Sequence, residues 1–279
     1  MESTAAPIAP KKRLGNLWRL IRTLMISYAV VLIALVWMES RLLFPGAYQR
    51  PESLTAMPPV EPFEFTSGGQ SVTGFVMERP LCDHTILFFH GNAVHSVQLQ
   101  PWLMRLSESC NATVVAAEYR GFQDPDVTPT EDNLIQDGLA VHAEVCRRYD
   151  LTPDQLTLYG RSLGGGCAVA VAQAVGARKL VLDRTFDSAV GVAASRYFMF
   201  PIHMVMSNSF DSAGRIQAYD GPLLQVHGTP DEVIPIGHAR KLFSIAPSPK
   251  KTFLELPGLL HNDPFDDSQL VQVANWIKK

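Results

Sequence analysis

Eleven residues at positions 156–166, reading Leu-Thr-Leu-Tyr-Gly-Arg-Ser-Leu-Gly-Gly-Gly, constrain this chain more than any others. An alternating apolar run ends at Gly160, and a helix-compatible run over residues 167–175 begins just after the glycines. Between them sits Gly160-Arg161-Ser162-Leu163-Gly164, a Gly-x-Ser-x-Gly in the strand–turn–helix setting of a nucleophile elbow. The turn is so tight that the residues two before and two after the serine must be tiny. The serine oxygen then stands at the top of a sheet, at the start of a helix whose amides can face an oxyanion. The pentad alone is weak, since roughly one chain in ten of this length carries it by chance. Its partners must decide.

The flanking pattern supplies a frame. Residues 62–65 and 72–77 straddle Ser67-Gly68-Gly69 and read as an antiparallel hairpin at a sheet edge. Short apolar runs at 84–89, 113–119, 156–160, 179–183, 223–227 and 252–256 read as strands. Helical stretches at 96–108, 134–148, 167–175, 240–244 and 269–277 are interleaved with them. Such alternation predicts an α/β fold, with a mostly parallel central sheet covered by helices on both faces. Sites in such sheets lie at the carboxyl ends of the strands. The interval holding residues 197–206 is apolar and irregular, and reads as the lining of an acyl pocket, as a minimal lid, or as a core helix.

A serine hydroxyl at neutral pH needs a base, and the base needs a group to orient it. The order that goes with this elbow is nucleophile, acid, histidine. After Ser162, His261 follows the last predicted strand and Asp231 follows the one before it. Ser162 is therefore the candidate nucleophile, His261 the general base and then acid, and Asp231 the carboxylate that fixes the imidazole tautomer. Alternatives stay open at this point. Asp231 has the chemistry of a cap for a helix beginning near Pro235, and Glu232 and Asp183 are rival acids. His261 also fits a surface loop histidine, while His227 and His238 are weaker bases. His90 reads as a brace for the loop that Gly91 starts, and His84, His95, His142 and His203 have no evident partner. For the oxyanion, the elbow offers the N–H of Leu163, and the loop after the 84–89 strand offers that of Asn92.

These residues resemble the α/β-hydrolase superfamily over about residues 42–279. Within it the chain is similar to small, N-terminally anchored α/β-hydrolase-domain proteins related to serine aminopeptidase-like hydrolases. The matching signs are Arg41-Leu42-Leu43-Phe44-Pro45, His90-Gly91-Asn92-Ala93, Tyr119-Arg120-Gly121-Phe122 and the elbow with Gly165. His227 through Pro235 and His261-Asn262-Asp263 complete them. Two departures stand out. Gln123-Asp124-Pro125 replaces a usual Gly-x-Ser, and Leu260 replaces the usual glycine before the histidine. The resemblance implies a serine hydrolase cleaving carboxylic esters or thioesters, on a small-molecule or lipid-like acyl substrate. An aminopeptidase-like amidase and a non-catalytic binding protein on the same fold are the competing expectations.

Ahead of this domain, no charge interrupts residues 23–38. Sixteen helical residues span about 24 Å, somewhat less than a bilayer core, but Arg22 and Arg41 can snorkel and Trp18 and Trp37 suit the interface. The absence of a small-x-small pattern after the run argues against a cleaved signal peptide, and the basic flank argues against a buried helix. The expected organisation is a basic cytoplasmic tail (1–22, polar and disordered over 1–13), a single-pass anchor (23–41) and a catalytic domain (42–279). Lys11, Lys12, Arg13, Arg19 and Arg22 precede the run, against Arg41 and Arg50 after it. By the positive-inside rule the catalytic domain then lies outside the cytoplasm, in a periplasm or lumen. Such a compartment permits disulfides, and Cys82 and Cys110, each ahead of neighbouring predicted strands, are expected to lie close enough to bridge. With a net charge of −3 there is no footprint for nucleic acid, and no C-x-x-C or other motif calls for a metal or cofactor.

Overall fold

The computed structural model describes residues 11–49, 56–82 and 84–279. The expected disorder over residues 1–10 and the cation at Arg50 lie outside the described residues. Two compact units emerge, Met1–Glu39 and Ser40–Lys279.

The first unit is dominated by helix α1 (Lys11–Trp37). Its stretch Gly15–Trp37 is long and apolar enough to cross a membrane, and its side chains are largely exposed. The helix begins at Lys11, so residues 11–13 are helical where disorder was expected.

The second unit opens with the end of α2 (Glu39–Leu43), followed by the hairpin β1 (Val60–Ser67) and β2 (Gln70–Met77). Then come β3 (His84–Phe89), α3 (Gln100–Cys110), β4 (Ala112–Ala116), the short α4 (Arg120–Gln123) and α5 (Glu131–Tyr149). They are followed by β5 (Leu156–Arg161), α6 (Leu163–Val175), β6 (Lys179–Asp183), α7 (Ala189–Arg196), α8 (Ile202–Val205) and α9 (Ser212–Arg215). The last elements are β7 (Leu223–Gly228), α10 (Ile236–Ile245), β8 (Lys251–Leu256) and α11 (Asp267–Lys278). Among the described residues the strands form one eight-stranded sheet in the order β1-β2-β4-β3-β5-β6-β7-β8. Pairing is antiparallel for β1–β2 and β2–β4 and parallel from β4 to β8.

The expected α/β fold is thus borne out, and its cause lies in side-chain alternation. Leu87, Phe89, Leu158, Leu180 and Leu182 face one side and pack on α5, α6 and α10. Ile86, Phe88, Tyr159, Val181 and Val226 face the other and pack on α3 and α11. Strands buried on both faces read as continuous apolar runs, which is why they are visible in the sequence. Pro62 is tolerated in β1 because that strand is an edge. The expected strand at 113–119 ends early: Ala117 N–H makes the last ladder bond, to Phe88 O, and Tyr119 then leads into α4. There the departure Gln123-Asp124 ties α4 to the hairpin: Thr73 N–H donates to Gln123 Oε1 at 3.0 Å, and Gln70 Nε2 donates to Asp124 Oδ2 at 3.1 Å.

The expected Cys82–Cys110 bridge is not formed, and all four cysteines are free. The last turn of α3 directs Cys110 into the core, where burial pushes its thiol up to about 12. Cys82 instead sits against β4, where Thr113 N–H donates to its sulfur at 3.3 Å. The helix phase, with left-handed Asn111 following, separates the two thiols.

Candidate active site

The elbow is built by steric exclusion. A Cβ on Gly164 would lie 2.2 Å from Phe89 O, and one on Gly160 would lie 2.5 Å from Gly164 O. Only glycine fits where α6 meets β3 and β5 this closely. Ser162 takes φ 54°, ψ −121°, a conformation costing a non-glycine residue about 1–3 kcal/mol. Surrounding bonds hold it there: Ser162 N–H donates to Asp183 O at 2.9 Å, and Thr185 Oγ1 donates to Ser162 O at 2.7 Å.

Three candidate residues from distant parts of the chain meet at this point. His261 Nε2 lies 3.0 Å from Ser162 Oγ, and His261 Nδ1 lies 2.8 Å from Asp231 Oδ2. Asp231 and His261 are both buried, the first after β7 and the second after β8. The other oxygen of Asp231 accepts the N–H groups of Val233 (2.9 Å) and Ile234 (2.7 Å). One carboxylate therefore both shapes its own loop and faces the imidazole, but it does not cap α10, whose N-cap is Pro235 with no side-chain bond. Burial works to raise its carboxyl, but the hydrogen bond and charge of His261, the Ile234 amide and His227 hold it below the usual range.

The other candidates are engaged elsewhere. Both oxygens of Asp183 take the guanidinium of Arg184, and Glu232 accepts the backbone N–H of His261 at 3.3 Å. His227 Nε2 donates to Ile234 O at 2.9 Å and closes the Asp231 loop, and burial pulls its imidazole below the usual value. His238 pairs with Asp187 at 2.6 Å. His90 does brace its loop, with Nδ1 2.7 Å from Gly91 O and Nε2 3.0 Å from Glu118. His95 reaches Gly46 O and Gln49 O, His142 lies beside Cys146, His84 contacts Arg178, and His203 is exposed.

Asn92 is fixed at both ends, its O accepting Gly46 N–H at 2.8 Å and its Nδ2 donating to Leu43 O at 3.0 Å. Its own N–H and that of Leu163 meet no acceptor among the described residues. A cavity of about 340 Å³ and a second of about 210 Å³ share Asn92, Ser162 and Val233. The first holds His261 and Asn262, and the second is an apolar groove running past Val192 and Met206. A larger cavity of about 650 Å³ opens at the amino ends of β3 and β5, away from Ser162. The rule for parallel sheets and the chemistry both favour the smaller pair. Among the described residues no group of three or more His, Cys, Asp or Glu side chains is placed to hold a metal.

Sequence reasoning misses one contributor. Arg184, only 2 % exposed and at φ 48°, lies against Asp183 and sends Nη1 to Leu260 O (3.1 Å) and Asp263 O (2.7 Å). Arg161 adds a bond to His261 O at 3.3 Å. Two arginines thus grip the backbone that carries the imidazole. An Asp-Arg pair after a strand hints at a buried ion pair, but nothing local names its target.

No family model matches the chain. The uncharacterized protein YfhR of Escherichia coli O157:H7 is 35 % identical over 188 residues, 66 % of this chain and 64 % of that protein. Human alpha/beta hydrolase domain-containing protein 17B is 29 % identical over 201 residues, 71 % of this chain and 67 % of that one. The chain thus spans just under two thirds of the YfhR sequence that it matches. Among solved structures, a Pyrococcus furiosus esterase superposes with TM-score 0.65 at 15 % identity, covering 82 % of this chain and 98 % of the esterase. The carboxylesterase EstE1 from a metagenomic library gives 0.61 at 19 %, covering 87 % and 94 %.

Proposed function

The chain belongs to the α/β-hydrolase superfamily, and on that premise we propose that it is a serine hydrolase cleaving carboxylic esters or thioesters through an acyl-enzyme. The observation that carries this reading is the continuous path from Ser162 Oγ through His261 to Asp231, with bonds of 3.0 and 2.8 Å. In this mechanism Ser162 Oγ attacks the acyl carbonyl as its proton passes to His261 Nε2. The negative charge of Asp231 holds the Nδ1–H tautomer and stabilises the imidazolium. The carbonyl oxygen becomes an oxyanion between the N–H groups of Asn92 and Leu163, each contributing about 3–4 kcal/mol to the transition state. As the intermediate collapses, His261 returns the proton to the departing alcohol or thiol. Water, deprotonated by the same nitrogen, then attacks the acyl carbonyl, and as the Ser162 Oγ–acyl bond breaks His261 returns that proton to Oγ and the acid leaves. The apolar groove beside Leu163 and Val192 suits the acyl group. No cofactor enters the scheme.

The organisation proposed with it is a tail (1–22), a single-pass membrane anchor (23–41) and a catalytic domain (42–279). Support comes from the apolar helical stretch Gly15–Trp37 and the cations that precede residue 23. Those cations orient the domain outside the cytoplasm. A fluorophosphonate probe tests the chemistry: the wild-type chain should label and Ser162→Ala should not. Equal labelling of both would sink the assignment.

A further inference from the structure

The segment joining α7 to α8 exposes what a water-facing surface hides. Tyr197, Phe198, Met199 and Met204 are 50, 83, 71 and 86 % exposed, four large apolar side chains within eight positions. The segment is nonetheless built. Buried Ile202 fastens it to the domain, and the N–H groups of Tyr197, Phe200, Ile202, Met204 and Met206 all donate to carbonyls within α7 and the segment. Donors paired within the segment need no water, which lowers the cost of entering a medium that offers no hydrogen bonds. Charge points the same way. From residue 188 to residue 210 there is no acid, and the exposed Arg196 stands immediately before the apolar crest. The crest also continues into the catalytic region, for Arg196, Tyr197 and Met206 line the groove that reaches Ser162.

We propose that the α7–α8 connection is a bilayer-contacting surface, and that an acyl chain held in the bilayer passes along it into the groove at Ser162. The second half rests on the hydrolase reading, and the first does not. A crest of apolar side chains beside a guanidinium, in a stretch with no acid, matches an anionic lipid surface: the rings and thioethers enter the acyl boundary while Arg196 stays at the headgroups. A protein partner fits less well, since four side chains on a narrow crest fall short of the roughly 800 Å² per side of a stable interface. The same chain carries Gly15–Trp37, so a bilayer is the surface it is equipped to meet.

The test uses the full chain in vesicles of phosphatidylglycerol and phosphatidylcholine. A nitroxide is placed by Phe198→Cys, or as a control by Gln272→Cys on α11, in a Cys82→Ser/Cys146→Ser background. The label at 198 should collide more with oxygen than with a water-soluble nickel chelate, and the label at 272 the reverse. Equal nickel access at both sites overturns the proposal. So does a label at 198 shielded from both reagents, which marks a protein–protein contact. In a second arm, Phe198→Ser/Met204→Ser should cut turnover of a vesicle-embedded palmitoyl ester at least about tenfold. The soluble butyryl ester of the same alcohol should stay within about twofold, because the groove and Ser162 are untouched. An immersed label with unchanged palmitoyl turnover overturns acyl delivery. An immersed label with no Ser162-dependent turnover of either ester supports the surface and removes the hydrolase reading instead.

Discussion

Asp231 divides its two oxygens between backbone amides and an imidazole, so replacing it separates structure from chemistry. Asp231→Asn keeps an acceptor for Val233 and Ile234 but presents an amide to Nδ1, which favours the wrong tautomer. Turnover should fall about 10⁴-fold with little change in thermal midpoint. Undiminished turnover would transfer the role to Asp183 or Glu232. Arg184 makes a contrasting prediction. Arg184→Met leaves the buried Asp183 carboxylate without its guanidinium, with only the Tyr159 hydroxyl still bonded to it, and should cost about 3 kcal/mol in urea unfolding. The double variant Asp183→Asn/Arg184→Met should lose less than the sum of the single changes, since neither charge is then stranded. Where the variants fold, a slack His261 loop should appear in kcat rather than KM.

At the scale of elements, the elbow helix α6 is the least forgiving. Gly164→Ala drives a methyl into Phe89 O, which is backbone of a central strand and cannot rotate away. It should cost at least about 3 kcal/mol by chemical denaturation. The contact between the β6–α7 loop and α10 is tuned by charge. Burial works to raise the Asp187 carboxyl, and the hydrogen bonds and charges of His238 and Lys241 overcome it, holding it at about 2. A folded value below the unfolded one near 3.8 means stabilisation that is present above about pH 4 and lost as pH falls towards 2. The deficit of Asp187→Asn in urea should therefore be roughly 2 kcal/mol at pH 7 and shrink across that window. Much of the element layout is legible from sequence. Doubly buried strands are uninterrupted apolar runs, and Gly68-Gly69 marks the turn of the edge hairpin. What is not legible depends on helix phase or remote contact. Cys110 faces the core because of where it falls on α3, and Arg184 has meaning only once the β8 loop folds back over β6. Glu118 likewise reads as an ordinary strand-end acid until His90 and Ser96 close on it.

The whole molecule divides at residue 39, and the catalytic reading is confined to one side of that division. A chain starting at Ser40 should fold alone and label with fluorophosphonate at a rate within about twofold of the full chain, since no proposed catalytic residue lies in the first unit. Loss of labelling together with loss of cooperative unfolding would show that Ser40–Lys279 is not self-sufficient. Within that unit the sheet order places β6 between the strand that leads to Ser162 and the strand that leads to Asp231. Asp183, at the end of β6, receives the Ser162 amide on its carbonyl and Arg184 on its carboxylate. Through Arg184 it also reaches the backbone on either side of His261. Ser162 and His261 are thus referenced to a single datum. A substitution that moved the end of β6 would therefore carry Ser162 and the backbone around His261 in the same direction, and their separation would change less than either position.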